Sequence, residues 1–228
     1  MSPSRERLER QIQFILEIDR AKQIIRRSLL SDASRLENDA EHSWHFAMMA
    51  ILLSEYARDT GLDLFKVVKM ALVHDLVEID AGDTYIYDTA GNQDKLDRER
   101  KAADRIFALL PPDQGRELRG VWEEFEARES PEARFAAAID RLQPLLMNYA
   151  TRGVQWQRHG VTGDRVMAIN SQIADGAPTL WEYASELIQA AMRQGFLAPP
   201  EADSSPPAPS VDTGKASGAE DDEGDFAR

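Results

Sequence analysis

Apolar residues in this chain return every three to four positions, and no apolar–polar alternation persists long enough to build a sheet. Leu8, Ile12, Ile15, Leu16 and Ile18 form one such stripe, predicting a helix over about residues 4–29. A second helix is predicted over about 40–58. Asn38 with Glu41 three residues later has the form of a capping box, and Gly61 closes the segment. A third fits about 63–79 and stops before Ala81-Gly82-Asp83. Further helices fit about 94–110, 113–128, 132–151, 164–174 and 178–195. Pro111-Pro112, Ser130-Pro131 and Gly153 punctuate them. The β-branched residues fall on helical stripes, so the expected fold class is all-α.

At 228 residues, one domain over 1–197 and a tail over 198–228 are expected. From Glu201 onward the chain clusters Pro, Ser and Gly and carries eight acids against two bases. That composition cannot bury enough apolar surface to offset the entropy of ordering, so a disordered acidic tail is expected. It holds −6 of the net charge of −13 and leaves −7 on the remainder. Such a balance disfavours duplex nucleic acid as a partner. The longest apolar run is the eight residues Phe46 to Leu53, short of the ~20 a membrane span needs, and the N-terminus lacks an apolar leader core. A cytoplasmic protein without a membrane partner is the expectation. With no cysteine, disulfides and thiolate chemistry are excluded, and any metal must be held by nitrogen and oxygen.

Only four histidines occur: His42, His45, His74 and His159. His74-Asp75 interrupts the apolar run Met70 to Val77, where a charged pair is expensive to bury unless partnered. A single His-Asp pair is as readily a satisfied core histidine. His42 opens the second helix, and Asp140 sits among the apolar neighbours Phe135 to Leu142. The set reads His, then His-Asp 32 residues on, then Asp 65 residues later. Two neutral imidazoles and two carboxylates suit one divalent cation (Mn, Co, Ni, Fe, Zn or Mg) with open positions for water.

These residues carry a resemblance to the HD-domain phosphohydrolase superfamily. The supporting phrases are Asn-Asp-Ala-Glu-His-Ser (38–43), Val-His-Asp-Leu-Val-Glu (73–78), Ala-Gly-Asp (81–83) and Ile-Asp-Arg-Leu (139–142). The resemblance spans residues 8 to 195 and is greatest to the bacterial 5′-deoxynucleotidase branch. It implies a helical bundle in which His42, His74, Asp75 and Asp140 hold the metal. Glu78, four residues after His74, is expected on the same helix face, and the resemblance makes it the group that orients water or takes its proton. By the same resemblance Asp83 contacts the sugar and Arg27, fifteen residues before His42, binds phosphate, with Arg26 and Arg35 as competitors. Ser28 departs from the pattern, since the nucleotidases carry tryptophan there. Two-metal members place extra histidines between Asp75 and His159, and this chain has none, so one metal is expected.

The activity implied is removal of the 5′-phosphate from (deoxy)nucleoside monophosphates, with a small phosphorylated substrate and a possible homodimer. Alternatives are hydrolysis of another phosphate ester or of a nucleoside di- or triphosphate, and a non-catalytic scaffold with the same fold. His45 is expected to support the site or pack on Trp44. His159 is expected in an exposed loop, and Tyr85 and Tyr87 as cleft lining or packing.

Overall fold

The computed structural model describes residues 4–88 and 90–200. Of the acidic tail expected over 198–228, residues 201–228 lie outside them. Helix α1 (Arg5–Ile18) opens on Ser4, whose side chain accepts from the Arg7 N–H. The helix expected to reach residue 29 ends eleven residues earlier. A 3₁₀ turn (Asp19–Gln23) follows, then a hairpin of β1 (Ile25–Leu29) and β2 (Leu36–Asn38). The strands pair antiparallel, Ile25 opposite Asn38 and Leu29 opposite Leu36. Ile24-Ile25 is as compatible with a strand as with a helical stripe, and pairing with a distant segment decides it. Apart from this two-stranded sheet the named elements are helical, as expected.

Asn38 caps α2 (Asp39–Leu53) through the reciprocal capping box with Glu41. A 3₁₀ turn (Ser54–Tyr56) ends this segment short of residue 58. The third predicted helix divides into α3 (Leu64–Val73), a 3₁₀ turn (His74–Val77) and α4 (Glu78–Ala81). Then come α5 (Lys95–Phe107), α6 (Pro112–Ala127), α7 (Pro131–Ala150), α8 (Val154–Arg158), α9 (Gly163–Asn170), α10 (Ile173–Gly176) and α11 (Pro178–Arg193). The short α8 was not anticipated, and the segment expected over 164–174 is two helices, α9 and α10.

Helix α7 is the central element and packs against α2, α3, α6, α10 and α11. Phe46, Met70, Phe135, Ile139, Leu142, Trp156 and Ile173 fill the core around it. Gly176 lets α10 press onto α7, since a Cβ there would lie 2.1 Å from the Arg134 carbonyl oxygen. The α1 stripe formed by Leu8, Ile12, Ile15 and Leu16 is exposed. Among the described residues no helix is long and apolar enough to cross a membrane.

Candidate metal centre

Three segments deliver side chains to one point beneath the hairpin. The capping box starts α2 at Asp39, so Asp39 and His42 enter the interior on its first turn; both are buried. His74 follows the last residue of α3, and its backbone N–H still bonds the Met70 carbonyl. Asp140 and Gln143 lie three residues apart on α7 and therefore share a face.

The imidazoles are oriented alike. His74 Nδ1 lies 3.0 Å from the Ala71 carbonyl oxygen, and His42 Nδ1 lies 3.2 Å from Gln143 Oε1. Each Nδ1 therefore carries the proton, and each Nε2 lone pair faces the centre. His42 Nε2 is 3.1 Å from Asp140 Oδ1 and 3.8 Å from Asp75 Oδ2. His74 Nε2 is 3.1 Å from Asp75 Oδ2 and 3.6 Å from Asp140 Oδ1. All four residues expected to hold a metal thus meet. Ligand atoms of His42, His74 and Asp140 lie within 4.8 Å of one another.

A divalent cation fits this arrangement on two grounds. His74 Nε2 is buried without a hydrogen-bond partner. The donors are two neutral-capable imidazoles and carboxylate oxygens, a set suited to first-row divalent metals. The electrostatics agree. Burial opposes charge on His74, but Asp75 and Asp140 overcome it and raise that imidazole well above its ordinary range. Although burial opposes it, the two histidines hold Asp140 well below the usual carboxylate range. A field that concentrates a proton here concentrates a cation equally. Burial, with Arg26 nearby, pushes His42 down, consistent with a neutral ligand.

A second acidic group adjoins the first. Oxygens of Asp39, Asp75 and Glu78 lie within 4.8 Å of one another. The expected His74–Glu78 pairing on an α-helical face is corrected by the 3₁₀ turn. With three residues per turn, Asp75 and Glu78 eclipse instead. Glu78 is buried, and its Oε2 has no partner. Burial and then the Asp75 charge raise it well above the ordinary glutamate range. Burial likewise pushes Asp39 up to about 8 and Glu37 to about 7, the latter against the pull of Arg26.

Of the three candidate arginines, Arg26 is the one set among these carboxylates. Its Nη1 lies 2.6 Å from Asp75 Oδ2 and 3.4 Å from Asp39 Oδ1, and its Nε 3.6 Å from Glu37 Oε1. Arg27 is exposed and lines the adjoining cavity, while Arg35 pairs with Glu41 at 2.5 Å. Asp83, Ser28, Tyr85 and Tyr87 line the same cavity, whose open volume is about 180 Å³. Burial raises Asp83, with Arg26 opposing. His45 supports Gln143 at 3.2 Å and stacks on Trp44, and His159 is exposed with its ring 4.9 Å from that of Tyr85. Gln143, Glu37 and Asp39 were not singled out from the sequence. The usable signal was their spacing of three to five residues from His42 or Asp140.

The fold and this histidine–aspartate cluster define a helical metal-site domain. A model of the HD domain matches residues 18–181, and the chain belongs to that family. A Magnetospirillum magnetotacticum protein described as a predicted metal-dependent phosphohydrolase has a crystal structure that is 54% identical. That match covers 87% of this chain and 100% of that one, with a TM-score of 0.82. The 5′-deoxynucleotidase HDDC2 of Homo sapiens is 32% identical over 136 residues, and that of Bos taurus 30%. The human match covers 59% of this chain and 65% of the relative, so the chain spans just under two thirds of that relative's length. A Pyrococcus furiosus protein shares the fold at 22% identity and a TM-score of 0.57, over 80% of this chain and 99% of that one.

Proposed function

We propose that the chain is a metal-dependent phosphomonoesterase that removes the 5′-phosphate of (deoxy)nucleoside monophosphates. The observation that carries this reading is the convergence of His42, His74, Asp75 and Asp140 beside an unpartnered, buried Glu78 oxygen. The relatives named 5′-deoxynucleotidase supply the substrate class.

His42, His74, Asp75 and Asp140 would hold one divalent cation. When bound, it supplies Lewis acidity toward a phosphoryl oxygen and the attacking water. Glu78 takes the water's proton at Oε2, the atom left without a partner. The water oxygen forms the new P–O bond as the ester P–O bond breaks. The proton passes from Glu78 to the leaving 5′ oxygen, giving nucleoside and inorganic phosphate. Arg26 holds Asp75 in place and offsets the acid excess, and Arg27 at the cavity wall meets the phosphate. Asp83 accepts from a sugar hydroxyl.

Phosphate release from a panel of deoxy- and ribonucleoside mono-, di- and triphosphates, with metal supplied, tests the reading. Monophosphates should be hydrolysed fastest, and the His74→Ala/Asp75→Ala double variant should be inactive. Preferential hydrolysis of a di- or triphosphate would select that alternative. No release from any of them would select the non-catalytic scaffold.

A further inference from the structure

Two arginines in the cavity wall form no ion pair among the described residues, although the carboxylates Asp140 and Glu126 line the same cavity. Arg141 follows Asp140 on α7, and Arg128 stands at the end of α6. Both line the cavity of the metal centre. Both also line an adjoining cavity of about 230 Å³, to which Arg134 contributes.

The other cations there are engaged or in solvent. Arg26 is paired as described, Lys95 lies 3.3 Å from Glu99, and Arg134 lies 3.1 Å from Asp59. Arg27 is exposed. Arg141, in contrast, makes no hydrogen bond or ion pair among the described residues, and its Nε is buried without a partner. Arg128 reaches only the neutral Gln172 Oε1, at 2.8 Å, and its Nε is also buried and unpartnered. Its backbone is left-handed, φ 53°, where glycine is favoured.

An unpaired buried guanidinium is costly to keep, because it cannot discharge its proton to relieve the penalty. Arg141 and the half-buried Arg128, whose only side-chain partner is a neutral amide, line the same two cavities and offer forked N–H donors to one anion, the arrangement that suits a phosphoryl group.

We propose that Arg128 and Arg141 form a phosphate-binding subsite on the α6–α7 wall of the cavity, separate from the β1 arginines Arg26 and Arg27. The choice of phosphate as the anion rests on the phosphohydrolase reading; the anion site itself does not. The subsite takes either the reacting phosphoryl group or a second phosphoryl group extending into the adjoining cavity.

The test is calorimetric binding of inorganic phosphate and of pyrophosphate to the metal-loaded protein. Wild type is compared with Arg141→Gln, Arg128→Gly and the exposed control Arg158→Gln. Arg141→Gln and Arg128→Gly should weaken binding by about tenfold or more, and the control should not. Equal weakening of both anions places the reacting phosphoryl group in the subsite. Weakening of pyrophosphate alone places a second one there. In anion-free buffer both variants should melt at or above the wild-type temperature, since one loses an unpaired charge and the other a left-handed side chain. Wild-type affinity for both anions in both variants overturns the proposal. So does a loss of anion-free stability that parallels the loss of binding, which would make these residues structural. Failure of the wild type to release phosphate from nucleotides, with anion binding intact, would count against the nucleotidase reading and leave the subsite standing.

Discussion

His42 gives its Nδ1 proton to Gln143, whose Oε1 lies 3.2 Å away, and both side chains are fully buried. Gln143 Nε2 in turn donates to Glu37 Oε2 at 3.0 Å. One turn of α7 thus brings Asp140 to the centre and also fixes the tautomer of an imidazole arriving from α2. Removing the amide leaves His42 free to rotate and to bind its proton on either nitrogen. Gln143→Leu is therefore expected to weaken metal affinity by about 10- to 100-fold while the helical fold persists. Competition against a chromophoric chelator, with circular dichroism as the fold control, reads both quantities.

Glu78 is the group whose loss should separate chemistry from metal binding. Its carboxyl is buried next to Asp75 and Asp39, and it is absent from the cluster formed by His42, His74 and Asp140. Glu78→Gln keeps the volume and removes the proton acceptor. Turnover is expected to fall by about 10²- to 10⁴-fold with metal content unchanged. Single-turnover phosphate release beside elemental analysis checks this, and unchanged turnover would remove Glu78 from the mechanism.

The parts of this site that were legible in the sequence are those specified locally or by unusual residue types. The Asn38–Glu41 capping box is a four-residue pattern, and the structure forms it reciprocally. His74-Asp75 stood out because a charged pair in an apolar run needs a partner. The hairpin was hidden because Ile25 pairs with Asn38, thirteen residues on, while the local stripe still reads as helix. That same misreading kept Arg26 and Arg27 from being told apart. On a strand, consecutive side chains face opposite sides, which buries Arg26 among the acids and leaves Arg27 exposed. Gln143 carries no compositional mark, since an uncharged amide near Asp140 gains meaning only when His42 is brought against it.

Chelation should destabilise the protein, and more so as the pH rises. Without a cation, Glu37 titrates at about 7 and Asp39 at about 8, both raised by burial from ordinary values of 4.5 and 3.8. His74 is also raised, its carboxylate neighbours outweighing burial. Each group binds its proton more tightly folded than unfolded. The stability this contributes is fully present below the unfolded values and is lost as pH rises through the folded ones. The chelated protein should therefore lose melting temperature steadily between about pH 5 and 9. The metal-loaded protein should change less, because the cation takes over the neutralisation. Scanning calorimetry with and without chelator measures the difference, and parallel pH profiles would count against a cation at this site.

Gly153 offers a test of the scaffold that leaves the centre untouched. It joins α7 to α8 with φ 71°, and a Cβ on it would lie 1.9 Å from the Phe196 carbonyl oxygen. Phe196 belongs to the segment that closes over α8 after α11. Its carbonyl oxygen also accepts from Gln157 Nε2 at 3.1 Å, so it cannot retreat freely. Gly153→Ala meets both the left-handed penalty and a backbone clash. A loss of about 2 kcal/mol or more is expected. Denaturant unfolding should show the lower midpoint, while metal affinity per folded molecule stays at the wild-type value, because α8 supplies none of the four converging side chains.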